Sequence, residues 1–203
     1  MATRKKVGIF GGTFDPIHMG HLILAQNALE IVGLDKVLIM PSGCSYLKDT
    51  EKITAKEHRI EMTRLAIEDN EKFELSTVET DREGNSYTYE TLEILCGENP
   101  DTDYYYIIGA DVFMSMRTWQ KPEEIFRRCT IVCARRDDIP DKDLDEMLEQ
   151  LHNDFDAKVM FMGVPEVRIS STDIRRLIGN GQSCRYYLND KVIEYIRDNS
   201  LFR

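Results

Sequence analysis

Short apolar, β-rich runs recur along the chain at Val7 to Phe10, Val37 to Met40, Phe73 to Leu75, Tyr104 to Ile108, Ile131 to Ala134 and Val159 to Met162. Between them the apolar positions switch to helical spacing, as in Leu22, Ala25, Leu29 and Val32, or in Ile60, Thr63, Leu65 and Ile67. Alternation of this kind predicts an α/β fold: one doubly wound parallel sheet with helices on both faces. From Thr172 onward the pattern predicts two helices, Asp173 to Ile178 and Asp190 to Asn199, parted by the helix stop Gly179-Asn180-Gly181. No repeat or low-complexity tract interrupts it. With 203 residues, 42% of them hydrophobic, the chain can bury one good core, so a single domain over residues 1–203 is expected, ending in the helical segment from about 172.

A formal net charge of -10 argues against broad electrostatic capture of nucleic acid or of an anionic membrane, either of which needs a basic face. An anionic substrate must then be held by a local cluster. The apolar runs are too short to span a bilayer, and Met1 to Lys6 leads into a strand rather than a signal-peptide core, so a cytoplasmic location is expected. The five cysteines, Cys44, Cys96, Cys129, Cys133 and Cys184, are odd in number, dispersed and without a C-x-x-C pair, which reads as free thiols. The acidic stretch Asp137 to Glu149 reads as a solvated helix on the sheet rim. A homo-oligomer is compatible with this composition, which does not reveal oligomeric state.

Directly after the first strand stand Gly11-Gly12-Thr13-Phe14-Asp15-Pro16-Ile17-His18-Met19-Gly20-His21, and then a helix begins. In a doubly wound sheet this connection lies at the carboxyl end of the strands, where such folds bind nucleotides. The glycines let backbone N–H groups approach a phosphate, and the helix terminus adds donors and a favourable dipole. Neither a dinucleotide fingerprint nor a P-loop is present. His18 and His21, three apart, would project from the same side of a first turn, where two imidazoles can donate to phosphate oxygens as charge grows on phosphorus. A zinc pair is disfavoured, since the other histidines, His58 and His152, lack ligand spacing.

Ile169-Ser170-Ser171-Thr172-Asp173-Ile174-Arg175 opens a later helix. Its hydroxyls read equally as plain N-caps, but Arg175 one turn further brings a guanidinium towards the same volume and makes a second anion cradle. Asp173 would oppose an anion unless it points outward. Trp119 suits a pocket rim better than a core, given its polar neighbours Arg117-Thr118 and Gln120-Lys121. Asp111 can be an N-cap or a ribose ligand, and Tyr104-Tyr105-Tyr106 reads as strand packing.

These two clusters together resemble the H-x-G-H nucleotidyltransferase superfamily, with its Rossmann-like fold. Ser86-Tyr87-Thr88-x-x-Thr91-Leu92, Ile108-Gly109-Ala110-Asp111, Trp119 and Arg135 narrow the likeness to the bacterial nicotinate-mononucleotide adenylyltransferases, from about residue 7 to the Tyr195–Arg203 segment. The resemblance implies that the phosphate of nicotinate mononucleotide attacks the α-phosphorus of ATP, accompanied by Mg2+ held by ATP rather than by protein side chains. Pyrophosphate departs, and no covalent enzyme intermediate is implied. It assigns catalysis to His18, His21 and Arg175. It assigns ATP binding to Gly11, Gly12, Thr13, Phe14, Gly109, Asp111, Arg135, Ile169, Ser171 and Thr172. Lys48, Ser86, Tyr87, Thr88 and Trp119 would meet the mononucleotide. Many members of this branch carry Pro-Pro-His-Lys where this chain has Ser45-Tyr46-Leu47-Lys48; a phosphate-reaching Lys48 and an ordinary loop lysine are equally open. The rival readings are another transferase of the superfamily, such as a phosphopantetheine adenylyltransferase or a cytidylyltransferase, and a catalytically silent nucleotide-binding module.

Overall fold

All six apolar runs form strands in the structure, a computed structural model that describes residues 4–43, 53–135, 139–165 and 167–203. They are β1 (Lys5–Gly12), β2 (Lys36–Pro41), β3 (Phe73–Leu75), β4 (Thr102–Gly109), β5 (Cys129–Arg135) and β6 (Val159–Gly163). Every pairing is parallel, in the order β3-β2-β1-β4-β5-β6. The chain winds outward from β1 to β3, returns to β4 on the other side of β1, and winds outward again. That reversal leaves a crevice beyond the carboxyl ends of β1 and β4.

The strands read as continuous apolar runs because both faces of the sheet are covered. Successive residues serve opposite sides: Phe10, Val37, Ile39 and Val132 enter one core cluster, while Ile9, Leu38, Met40 and Ile131 enter the other. The first cluster also takes Ala25, Ala28 and Leu29 of α1 (Met19–Val32) and Met62 of α2 (Lys56–Ile67). Ile174 of α7 (Ser171–Gly179) and Val192 and Ile196 of α8 (Asp190–Asp198) complete it. The second takes Leu92 and Leu95 of α3 (Thr88–Glu98), Phe113 of the short α4 (Ala110–Phe113) and Ile125 of α5 (Pro122–Arg128). The acidic stretch contributes α6 (Asp141–Phe155), whose Leu144 and Leu151 are fully buried while its carboxylates face water. The helix is amphipathic as well as solvated.

Cys96, Cys129, Cys133 and Cys184 are free thiols, and Cys44 lies outside the described residues. Burial pushes the Cys133 thiol up to about 12, so it packs as an apolar group and not as a nucleophile. Among the described residues no helix is long and apolar enough to cross a membrane. Near the end of the chain, the carbonyl of Tyr187 accepts the Met19 N–H at 2.9 Å, which ties the 184–188 turn to the first turn of α1.

Candidate active site

The loop leaving β1 passes through Phe14, in the left-handed region at φ 49, and a cis Asp15–Pro16 bond. The Phe14 ring is buried, which helps to hold a conformation that costs a side-chain-bearing residue about 1–2 kcal/mol. His18 caps α1 and His21 lies in its first turn. Their rings stack with centroids 3.6 Å apart and planes inclined by 18°. The His18 backbone N–H donates to Nδ1 of His21 at 3.2 Å. An Nδ1 that accepts carries no proton, so the neutral His21 ring keeps its proton on Nε2 as a second donor. A Cβ on Gly20 would meet the His18 ring at 3.2 Å, so a larger residue there would crowd the imidazole.

α7 is laced to this loop. Ser171 Oγ donates to the Pro16 carbonyl at 2.9 Å, and Arg175 donates through Nη1 to the Asp15 carbonyl at 2.7 Å and through Nη2 to Thr172 Oγ1 at 3.2 Å. Ser170 Oγ accepts the Asp173 N–H, which makes Ser170 the cap. Asp173 pairs outward with Arg176 at 2.8 Å. The Ser170 hydroxyl, with lesser help from Arg176, holds the Asp173 carboxyl below the usual range. An inward-facing carboxylate, which would repel an anion, is thereby avoided. Thr13, His18, His21, Ser171, Thr172 and Arg175 line one cavity of about 590 Å³, bordered also by Ile169 and Asp111. Hydroxyl, imidazole and guanidinium donors dominate its polar wall, as anion binding requires.

A second cavity, about 270 Å³, lies beside it. Gly11, Gly12 and Gly109 form backbone walls, and Trp119 stands at right angles to Tyr106 with ring centroids 6.2 Å apart. The indole N–H of Trp119 donates to Ser115 Oγ at 3.3 Å. Ser86, Tyr87 and Thr88 bring in the start of α3, where Tyr87 is the cap residue and no side chain caps the helix. Glu79, in the same wall, is buried. Its carboxylate accepts Thr91 Oγ1–H at 3.1 Å, and its main-chain carbonyl accepts the Ser86 hydroxyl at 3.4 Å. Burial raises its pKa against the opposing pull of Thr91, Arg82 and the Gly43 N–H. Gly43 passes so close that a Cβ there would lie 2.5 Å from the Glu79 carbonyl oxygen. Among the residues lining the two cavities, Thr13 is common to both.

Two predicted positions stand apart from these walls. Phe14 lies behind the cavity with its ring edge-on to His21 at 5.0 Å, so it supports the imidazole instead of lining the channel. Arg135, at the end of β5, pairs with Asp141 at 2.7 Å and covers the Phe161 ring, and it lines neither cavity. Lys48, with Ser45 to Leu47, falls outside the described residues. Asp111 follows the cap, which is Gly109, and so is not the N-cap of its helix. Tyr106 packs within β4 as its sequence context suggests, and in addition its ring joins Trp119 in the wall of the second cavity, for which the tryptophan downstream is the sequence signal. Sequence reasoning missed Glu79 and the buried Arg59, which no local pattern marks.

The sequence model of the cytidylyltransferase-like family matches residues 9–177. A protein of Lachnoclostridium phytofermentans named "probable nicotinate-nucleotide adenylyltransferase" is 40% identical, covering 95% of this chain and 96% of its own. One of the same name from Enterococcus faecalis is 36% identical over 99% of this chain and 86% of its own. Among solved structures, a Plasmodium falciparum nicotinic acid mononucleotide adenylyltransferase complexed with NaAD superposes with a TM-score of 0.78 at 20% identity, over 98% of this chain and 97% of that one. At that identity the likeness speaks for the fold.

Proposed function

The chain belongs to the cytidylyltransferase-like family, among its nicotinate-nucleotide adenylyltransferases, and we propose from this how its two cavities divide the work. The enzyme transfers the AMP moiety of ATP to nicotinate mononucleotide, giving nicotinate adenine dinucleotide and pyrophosphate. The observation that carries the division is the shared wall at Thr13 between a donor-lined cavity and an aromatic one. Such an arrangement suits two phosphates that must meet.

In this reading the pyridine ring lies beside Trp119, with its carboxylate towards the start of α3 at Ser86, Tyr87 and Thr88. Its phosphate points to Thr13, and the triphosphate of ATP occupies the histidine cavity. The attacking phosphate is already largely dianionic at neutral pH, so the protein has no proton to remove. Its task is to align the attack and to neutralise charge. The Nε2–H of His21 and the ring of His18 would donate to the α-phosphate as it becomes pentavalent. Arg175 and the α7 hydroxyls would take the departing pyrophosphate. Asp111 would border the adenosine, whereas Gly109, expected there, lies in the wall of the tryptophan cavity; Arg135 would reach the adenosine only by leaving Asp141. Lys48 would approach a phosphate from the β2–α2 connection.

A magnesium ion carried by the ATP phosphates fits this wall. Two carboxylates line it, Asp111 and the buried Asp15, whose Oδ1 has no hydrogen-bond partner among the described residues. Both are the hard oxygen donors that Mg2+ or its water shell takes. When bound, the ion would offset negative charge on the phosphate oxygens. We place the reaction in the cytoplasm, where both nucleotides occur.

Pyrophosphate release, measured with MgATP and nicotinate mononucleotide, tests the reading. Release that requires both substrates supports it. Release from CTP with a phosphorylated acceptor, release from ATP with phosphopantetheine in place of nicotinate mononucleotide, or tight ATP binding without turnover would replace it with a rival.

A further inference from the structure

Arg59, on α2, is only 4% exposed. Its Nε donates to the Thr54 carbonyl at 3.0 Å, while Nη1 donates to the carbonyls of Thr13 at 2.8 Å and Ser42 at 2.9 Å. Burial pulls its pKa below the ordinary arginine value, opposed by the nearby Asp15 and Glu57 carboxylates. Three carbonyls and a neighbouring acid make this an expensive charge to bury that is nonetheless well satisfied.

The carbonyls belong to informative places. Thr13 immediately follows β1, and Ser42 immediately follows β2. The Ser42 N–H donates to the Gly12 carbonyl at 2.8 Å, so the ladder continues just past the strands, and Arg59 closes it from outside. Thr13 lines both cavities, and Ser42 lines the tryptophan cavity. Arg59 itself lines neither. It therefore grips the wall between the two substrates without a surface to offer either of them.

Transfer in line requires the attacking oxygen to sit about 3–3.5 Å from phosphorus, and displacement by about 1 Å can cost 10²-fold. We propose that Arg59 is a positioning residue: through Thr13 and Ser42 it fixes the two substrate cavities relative to each other, and so the approach of the mononucleotide phosphate to ATP. This rests on the assignment of the two cavities made above. Both wall carbonyls are held by the one Nη1, whose direction is set by the planar guanidinium and by the Nε bond to Thr54, whereas an ammonium is a point donor on a flexible stem and loses that second anchor.

The test uses Arg59→Lys and Arg59→Gln in the full chain. Affinity for nicotinate mononucleotide is read from the fluorescence of Trp119, the chain's one tryptophan. Affinity for MgATP is read by calorimetry, and kcat is taken per active site. The expected result is a fall in kcat of roughly 10- to 100-fold with each affinity changed less than about threefold. Partial rescue by lysine relative to glutamine is also expected, because lysine keeps the charge. Unchanged kcat per active site, loss of both affinities in proportion to kcat, or failure of both variants to fold would each overturn the proposal and leave Arg59 a structural clamp. Wild-type protein that does not turn over MgATP and nicotinate mononucleotide would instead overturn the cavity assignment itself.

Discussion

One hydrogen bond sets the tautomer of His21, because the His18 N–H occupies Nδ1 and the proton of the neutral ring then sits on Nε2. His21→Ala should keep the fold and lower kcat by roughly 10²- to 10³-fold, the range for losing one preorganised donor. Steady-state kinetics with a folded mutant near wild-type kcat would sink that role. Arg175 spends two nitrogens on Asp15 and Thr172 at once, which a lysine cannot imitate. Arg175→Lys should therefore lose about tenfold or more in kcat/KM for MgATP; wild-type values in both Arg175→Lys and Arg175→Ala at subsaturating MgATP would reduce the segment to a capped helix. Glu79 yields a pH signature. Burial raises its pKa above the ordinary glutamate value of 4.5, so its contribution to stability is present below that value and is lost as pH rises through the folded pKa. Against Glu79→Gln, the wild type should thus lose relative stability as pH climbs from 4.5 towards neutrality, as followed by thermal unfolding; the opposite slope would mean that Glu79 is stabilised as an anion. The histidines, the glycine loop and Arg175 were legible because each cluster is contiguous in sequence. Arg59 and Glu79 were not, since their partners are main-chain groups of other segments and leave no imprint on neighbouring residue types.

At the scale of elements, strands were easier to read than their surroundings. Burial on both faces forces unbroken apolar runs such as Val37 to Met40, whereas Pro122–Arg128 and Ala110–Phe113 are too short to establish a helical period. The proline at the first position of α5, with Glu123 and Glu124 in its first turn and Arg127 and Arg128 in its last, is the local cue to that helix. The uncapped start of α3 carries a substrate prediction. Tyr87, at the cap, makes no side-chain cap bond, and residues 86–88 at the start of the helix line the cavity that also holds Trp119. A pyridine carboxylate gains charge-assisted bonds there, while a carboxamide offers one neutral acceptor and turns an NH2 towards donors. A difference of about 3 kcal/mol, or roughly 10²-fold in kcat/KM, should favour nicotinate over nicotinamide mononucleotide. Equal ratios at fixed MgATP would refute this account of α3 and leave the adenylyl transfer untouched.

Over the whole molecule, the sequence predicted a doubly wound sheet, but strand order is a property of tertiary pairing that periodicity does not encode. Nor did it reveal that α8 completes the core around α1 and α2. Ile196 is 4% exposed in that core, so Ile196→Ala should cost about 2–4 kcal/mol in denaturant unfolding while kcat of the folded fraction stays unchanged; a loss under 1 kcal/mol would mean the helix packs loosely. The bond from the Met19 N–H to the Tyr187 carbonyl has a consequence for how the protein is made. The turn bearing both histidines leaves the ribosome well before its backstop, which is translated after all six strands and α7. Until residue 187 has cleared the exit tunnel, a nascent chain holds the two imidazoles on a helix end that lacks its tie to the 184–188 turn. Chains stalled on the ribosome with residues 184–188 still inside the tunnel should be inactive, and lengthening the tether until those residues are exposed should switch activity on.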